Sequence, residues 1–190
     1  SWPAMPSNWA ARIQALQFQF QITERLDAKV LRERQLEQAR RVVRHAMDST
    51  PLYAEQFQGL NPDTLDRTTW SKVPIITRTQ LQMAGTTAHS NTVPADHGKI
   101  KAVCTSGSTG RPLEMQTTQM TQLYWSALTL RDHLWHRRDF QGILLVFRDV
   151  TDDSCGPEGK WFDGWDAGVS GVIRSGPSLL MDVRQTPLEK

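Results

Sequence analysis

The sequence predicts an α/β protein, in which a helical N-terminal half is followed by the first strands and helix of a sheet. Two observations support this fold class. Apolar residues recur at helical spacing through the first half of the chain. After Lys99, short apolar runs typical of strands lie on both sides of one long helical pattern. We therefore divide the chain into a helical segment, 1–95, and an α/β segment, 96–190, which together form one incomplete N-terminal domain.

Two long helices are predicted at the start of the helical segment. Ser7 or Asn8 can cap the first helix, because both side chains accept hydrogen bonds from free backbone N–H groups. Its apolar stripe contains Trp9, Ile13, Leu16 and Phe20. The second helix runs from near Asp27 to His45 or Met47. Its buried line is predicted to contain Leu36, Ala39, Val43 and Met47.

Shorter elements follow the second helix, which Pro51 interrupts. Thr77 is a favourable cap for a further small helix. The predicted order is a short helix over 52–57 that ends at Gly59, a turn capped by Asn61, a small helix from Thr77 to Met83, and a surface loop over 85–96.

The α/β segment is predicted to alternate strands with one long helix. Alternation of apolar and polar residues over 113–117 is typical of a half-buried strand. The predicted order is a strand over 100–104, a strand over 113–117, a helix over 119–137 that Gly142 ends, a buried strand over 143–147, a loop over 148–166, and short strands over 171–174 and 179–182. We expect these strands to begin a sheet that this chain does not complete.

Composition limits the classes of function. The chain has 190 residues, 38% of them hydrophobic and 22% charged, and a formal net charge of +2. This near-neutral balance does not favour a nucleic-acid partner. No apolar run is long enough to span a membrane. Two cysteines, Cys104 and Cys155, are too few for a disulfide framework, so we expect reduced thiols in a cytoplasmic protein, with Cys104 buried at a strand end.

The most specific chemical signal is a loop of glycines and hydroxyls over 104–112. Gly107 and Gly110 permit positive φ and a close approach of a ligand to the backbone. Successive amide groups in such a turn can converge on an anion. Arg111 adds a planar charged group suited to phosphate. The candidate phosphate-binding residues are Thr105, Ser106, Gly107, Ser108, Thr109, Gly110 and Arg111.

This loop differs from the Walker phosphate loop. The Walker pattern has four residues between its glycines, then Lys and Ser or Thr, and then a helix. Here two residues separate Gly107 from Gly110, Arg-Pro follows, and a strand comes next. Judged by spacing alone, a hairpin loop without a ligand and an Arg-anchored phosphosugar site both remain open.

Residues 105–112, Thr-Ser-Gly-Ser-Thr-Gly-Arg-Pro, resemble the phosphate-binding signature of the AMP-forming, adenylate-forming enzymes. Three further stretches resemble the phenylacetate-CoA ligase and CapK-like branch of that superfamily. The first, 35–53, contains His45-Ala46 and ends in Thr-Pro-Leu-Tyr; the second and third are 70–81 and 131–139. The resemblance therefore covers most of the chain in the same order.

The resemblance implies an ATP-dependent carboxylate ligase. In that family the loop holds the β- and γ-phosphates of ATP with Mg²⁺, and a carboxylate attacks the α-phosphate to give an acyl-adenylate. The acyl group then usually passes to a thiol such as CoA. Arg111 stands where the family commonly has Lys, which keeps the charge and changes its geometry.

Several family motifs are missing from this sequence. Neither Tyr53 nor Tyr124 begins the aromatic-Gly-x-Thr-Glu motif whose Glu serves Mg²⁺, and the ribose-binding motif and the C-terminal catalytic Lys domain are also missing. We therefore expect an N-terminal part of a longer enzyme, inactive by itself and dependent on the remainder of its own chain. A small carboxylate would be the substrate of the whole enzyme, and no catalytic residue is assigned here.

A non-catalytic interaction module is the alternative function. Basic residues on the second helix, Arg40, Arg41 and Arg44 among them, would then dock an acidic partner, although a solvated helix face with local ion pairs is the simpler interpretation.

Three other groups of residues are weaker candidates. His133 and His136 lie three residues apart on one predicted helix, but no further ligand accompanies them, so no metal site is predicted. Asp149, Asp152 and Asp153 form an acidic loop that is more typical of a solvated surface than of a Mg²⁺ site. Two tryptophans of a glycine-containing loop, Trp161 and Trp165, are candidates for lining an acyl pocket.

Overall fold

The computed structural model describes residues 7–105, 112–150 and 154–184. The described chain contains both helices and strands, as predicted. Its internal contacts group the residues into two compact units, one formed by 22–120 and the other by 7–21 with 121–184. The division at residue 95 rests on local sequence character and stays a prediction.

Unit 22–120 is built on a long helix, α2 (Ala28–Ser49), and a short one, α3 (Pro51–Gln56). The Asp27 carboxylate caps α2 by accepting a hydrogen bond from the Lys29 N–H. On the C-terminal half of α2, Val43 packs with Phe57 and Leu65 in the hydrophobic core of the unit. The predicted helices of this region are therefore confirmed, with α2 ending two residues later than expected.

A capped helix and a hairpin complete this unit. Helix α4 (Arg78–Ala84) begins with a capping box, in which Thr77 and Gln80 each bond the backbone N–H of the other. Strands β1 (Ile100–Cys104) and β2 (Glu114–Thr118) pair antiparallel, with Cys104 opposite Glu114. Both strands were expected. All five β1 residues are exposed, so the prediction of a buried Cys104 is wrong: in the described chain the hairpin forms a sheet of two strands only.

The second unit contains most of α1 (Asn8–Thr23), most of α5 (Gln119–Trp135) and a three-stranded sheet. The Gln17 side-chain amide donates to the Ala127 carbonyl and ties α1 to α5. In the sheet, β3 (Leu144–Arg148) runs parallel to β5 (Ser178–Asp182), whose other edge pairs antiparallel with β4 (Lys160–Phe162).

The structure corrects four expectations in this unit. Strand β3 was expected to be buried, but none of its residues is buried, and Leu145 and Phe147 are 49% and 56% exposed. The predicted loop over 148–166 contains β4, and a short helix, α6 (Ala167–Ser170), follows Asp166. Residues 171–174 form a turn and not a strand. Helix α5 ends through Arg137, at φ 48°, and not through Gly142. The Arg138 N–H bonds the His133 carbonyl and the Arg137 N–H bonds that of Leu134, which is the Schellman pattern.

Residues 7–105, 112–150 and 154–184 contain no helix that is both long and apolar enough to cross a membrane.

Candidate functional site

The base of the candidate phosphate loop is closed by Thr105. Its backbone N–H donates to the Leu113 carbonyl at 3.0 Å, and its Oγ1 accepts from the Leu113 N–H at 3.0 Å. The hairpin thus continues one residue beyond β1 and fixes the two ends of the loop. The other candidate residues, Ser106, Gly107, Ser108, Thr109, Gly110 and Arg111, lie outside the described residues.

A basic residue of α4 lies at this base, and its role was not predicted from the sequence. The Arg78 guanidinium donates from Nη2 to Thr105 Oγ1 at 3.1 Å. Arg78 is the first residue of α4, so the Thr77–Gln80 capping box fixes the backbone from which it extends. The only signal in the sequence was a basic residue inside the stretch 70–81, because 27 positions separate it from Thr105.

These contacts determine which hydrogen-bonding groups of the Thr105 hydroxyl remain available to a ligand. A threonine hydroxyl has two acceptor lone pairs and one O–H donor. Leu113 and Arg78 supply donors to both lone pairs. The O–H therefore remains as a donor, beside a fixed positive charge, which is the pair of groups an oxyanion requires.

A cavity of about 200 Å³ adjoins the loop base. Pro112 and Leu113, where the chain returns to β2, form one wall, and His89 and Glu114 line it with their side chains 4.0 Å apart. This volume is below the roughly 300 Å³ at which sites for whole drug-sized ligands begin. It can therefore accept only part of a nucleotide.

The two histidines considered for a metal lie in different surroundings. His133 is 4% exposed, and its Nδ1 accepts from the Arg138 guanidinium at 2.7 Å. His136 is exposed and pairs with Asp132 at 3.4 Å. Across the described part of the chain, no group of three or more His, Cys, Asp or Glu side chains is placed to hold a metal ion.

The surroundings of His133 lower its pKa and so oppose its protonation. Burial lowers its pKa from the ordinary value of 6.5, the Arg138 charge lowers it further, and Asp132 and Asp166 oppose the shift. Its ring packs edge-to-face against Trp165, with centroids 5.0 Å apart. Its Nε2 has no hydrogen-bond partner among the described residues.

We expect the free energy of unfolding to fall as the pH is lowered below about 6.5, because the unfolded chain then binds a proton that folded His133 resists. This part of the stability is fully present above pH 6.5 and is lost as the pH falls towards the folded-state pKa. Urea unfolding at several pH values measures it. His133→Gln should remove this part of the slope and His136→Gln should retain it; equal slopes in both variants would contradict the assignment to His133. NMR titration of the His133 ring in the unmodified protein provides an independent check.

The acidic residues near the end of β3 are engaged in a local network. Asp149 pairs with Arg184 at 2.8 Å, and Arg184 also bonds the buried carboxylate of Asp182. Burial alone would raise the pKa of Asp182, but hydrogen bonds from the backbone N–H groups of Arg184 and Val150 leave it below its ordinary value. Asp152 and Asp153 lie outside the described residues. Asp149 therefore acts in an ion pair that stabilises the end of the sheet.

The two tryptophans proposed for an acyl pocket differ in how far they are buried. Trp165 is 7% exposed and lines a cavity of about 450 Å³ together with Arg148 and Phe162. Trp161 is 57% exposed and is not part of that wall. Of these two tryptophans, only Trp165 therefore lines this open cavity of unit 7–21 with 121–184.

The basic residues on the second half of α2 have local partners. Arg40 bonds the Leu65 carbonyl at 2.8 Å, Arg41 pairs with Glu37, and Arg44 pairs with Asp63. These three charges are committed to contacts within unit 22–120. The docking of an acidic partner by these residues stays a prediction, because ion pairs as exposed as that of Arg41 are weak.

Comparisons with known proteins assign no family: no family model matches the chain, and no curated protein matches it.

Proposed function

We propose that this chain is the phosphate-loop part of an ATP-dependent, AMP-forming carboxylate ligase of the phenylacetate-CoA ligase and CapK-like branch. One observation carries the proposal. The stretch 105–112, which resembles the phosphate-binding signature of the superfamily, meets the stretch 70–81, which resembles this branch, at the hydrogen bond from Arg78 to Thr105. Each stretch contributes a group suited to phosphate: a guanidinium from Arg78 and a hydroxyl from Thr105.

The chemistry follows from the groups at the loop base. The Thr105 O–H and the Arg78 charge lie beside the loop, whose amide groups would hold the β- and γ-phosphates of ATP with Mg²⁺. A carboxylate oxygen attacks the α-phosphorus, its bond to the bridging oxygen breaks, and pyrophosphate leaves. The thiol of CoA, the expected acceptor, then attacks the acyl carbon, and AMP leaves. The contribution of these residues is positioning and charge neutralisation.

The rest of the machinery is proposed to come from further residues of the enzyme. The Mg²⁺-binding Glu motif, the ribose motif and the catalytic Lys domain are missing from the sequence. The purified chain is therefore expected to release no pyrophosphate from ATP with any of a panel of carboxylates. Pyrophosphate released in proportion to the carboxylate added would refute the assignment of the missing groups to other residues.

Nucleotide binding by the loop is the direct test. ATP with Mg²⁺, titrated to millimolar concentration, is expected to shift the NMR signals of the Gly107 and Gly110 amides. Arg78→Gln should weaken this binding about fivefold, because an exposed charge-assisted contact contributes about 1 kcal/mol.

Arg34→Gln is the matched control, since Arg34 is exposed on α2 and has no part in the loop. Silence of both glycine amides, or equal weakening by the two variants, would contradict the proposal.

A further inference from the structure

A groove lies between the N-terminal half of α2 and the side chain of Trp70. We call it the Trp70 groove. Its volume is about 700 Å³. It is lined by Lys29, Arg32, Glu33, Gln35, Leu36, Ala39, Arg67 and Trp70. All of these belong to unit 22–120, and the proposed ligase chemistry uses none of them.

The groove exists because the apolar stripe of α2 is covered over only half of its length. Val43, on the C-terminal half, is 5% exposed and packs with Phe57 and Leu65. Ala39 and Leu36, one and two turns earlier on the same stripe, are only half-buried and form the floor of the groove. The apolar stripe of α2 thus continues beyond the core, and its N-terminal part lies at the surface.

Trp70 is held in place by a tightly bonded turn. The Asp66 carboxylate accepts hydrogen bonds from the hydroxyl and N–H groups of both Thr68 and Thr69, and these bonds hold its pKa well below the ordinary range. The Trp70 N–H donates to the Asp66 carbonyl at 2.9 Å. The exposed indole is therefore presented by an ordered backbone, and little ordering remains to be done when a partner binds.

The rim of the groove carries an excess of positive charge. Lys29, Arg32 and Arg67 are exposed, and Glu33 is the only acidic residue of the lining, so the rim has a net charge of +2 (three cations less one anion). Within the described chain, the side chains of these three basic residues make no ion pair and no hydrogen bond. This distinguishes them from Arg40, Arg41 and Arg44, which have partners on the same unit.

We propose that the Trp70 groove binds an acidic amphipathic helix of a partner protein. Ten residues separate Lys29 from Ala39, so the groove follows α2 for about 15 Å, which is close to three turns of a bound helix. Apolar side chains at positions i, i+3 or i+4 and i+7 of that helix would lie on Leu36, Ala39 and Trp70. Its flanking carboxylates would meet the three unpaired cations.

A small-molecule ligand fits the groove less well. Sites for small molecules orient them through a few polar groups placed inside a largely enclosed space. In this groove every charged or amide side chain is exposed at the rim, and the floor is apolar. The helix-in-groove mode uses this combination of an apolar floor and a charged rim.

Synthetic peptides test the proposal directly. The probe is a fluorescently labelled helical peptide with Leu at i, i+3 and i+7 and Glu at the exposed positions, and its binding to the whole chain is followed by fluorescence anisotropy. A Lys version of the same peptide, and a scrambled version that lacks the apolar stripe, are expected to bind at least tenfold more weakly. Raising the salt from about 0.1 M to about 1 M should weaken binding by the Glu peptide, because the screening length falls from about 10 Å to about 3 Å.

Variants of the chain locate the binding surface. Arg32→Glu with Arg67→Glu should weaken the Glu peptide at least tenfold and improve the Lys peptide. Arg34→Glu is the matched control, an exposed arginine of α2 outside the groove, and should change affinity less than twofold. Trp70→Ala should weaken the Glu peptide at least tenfold, whereas Trp125→Ala, also an exposed tryptophan, should not.

Four results would overturn the proposal. These are equal binding of the Glu and Lys peptides, equal effects of the arginine variants, displacement of the peptide by millimolar benzoate in a manner that depends on Trp70, and a concentration-dependent dimer that Trp70→Ala abolishes. The third would identify a small carboxylate as the occupant, and the fourth a second copy of the chain.

Discussion

Trp165→Ala is expected to lower the free energy of unfolding by about 3–5 kcal/mol, which is a large part of the stability of a domain of this size. The indole is 7% exposed and packs against the rings of both His133 and Phe140, with centroid distances of 5.0 and 5.1 Å. Its N–H donates to the Gly142 carbonyl at 3.1 Å. Truncation therefore leaves a cavity and an unpaired backbone acceptor at the junction of α5 with β3.

Trp161→Ala is the matched control for this prediction. The residue type is the same and the position is only four residues away, but the side chain is 57% exposed. Its loss should change stability by no more than about 0.5 kcal/mol. Urea unfolding followed by far-UV circular dichroism measures both variants. Similar effects of the two changes would show that the structure places the indoles incorrectly.

Leu65→Ala has the second largest expected effect, a loss of about 2–5 kcal/mol. Leu65 is 0% exposed and lies in the core that Val43 and Phe57 form in unit 22–120. Its carbonyl also accepts the Arg40 guanidinium hydrogen bond at 2.8 Å, which ties the turn after it to α2. The change removes one of the three buried side chains of this core cluster.

Ile75→Ala is the control in the same unit, since Ile75 is 88% exposed. Chemical denaturation of the two variants, monitored by circular dichroism, should separate them by at least about 1.5 kcal/mol. Comparable midpoints would contradict the placement of Leu65 in the core. The comparison also shows whether the turn that presents Trp70 depends on this core, because Leu65 immediately precedes Asp66.

Local sequence predicted the elements whose ends depend on nearby side chains. Asp27 begins α2, and the Thr77–Gln80 pair begins α4, because a cap needs only residues within one turn of it. The hairpin was predicted because a short apolar run precedes the glycine loop and a segment of alternating apolar and polar residues follows it. Helix α5 was predicted over 119–137, but the residue that ends it was wrong: Arg137, and not Gly142, takes the positive φ, where glycine is common and arginine is rare.

The strand β4 illustrates why other elements could not be predicted. Its three residues, Lys160–Phe162, carry too short a pattern to indicate a strand, and they become one by pairing with β5 about twenty positions later. Residues 171–174 were predicted to form a strand from their apolar pattern, but they pair with no strand and form a turn. Whether a segment forms a strand depends more on the strands it packs against than on its own residues.

The sequence by itself predicted the class of elements and several of their caps, because these depend on residue type and short spacing, and the phosphate chemistry of the glycine loop stays a prediction. Only the tertiary structure placed Arg78 on Thr105, paired Arg40, Arg41 and Arg44 with local acceptors, and left Lys29, Arg32 and Arg67 unpaired around an open groove. The physical reason is the same in each case. A charged side chain can bind a ligand or partner strongly when no other residue of the chain already pairs with it. Most of its possible partners are distant in sequence and come near it only when the chain folds.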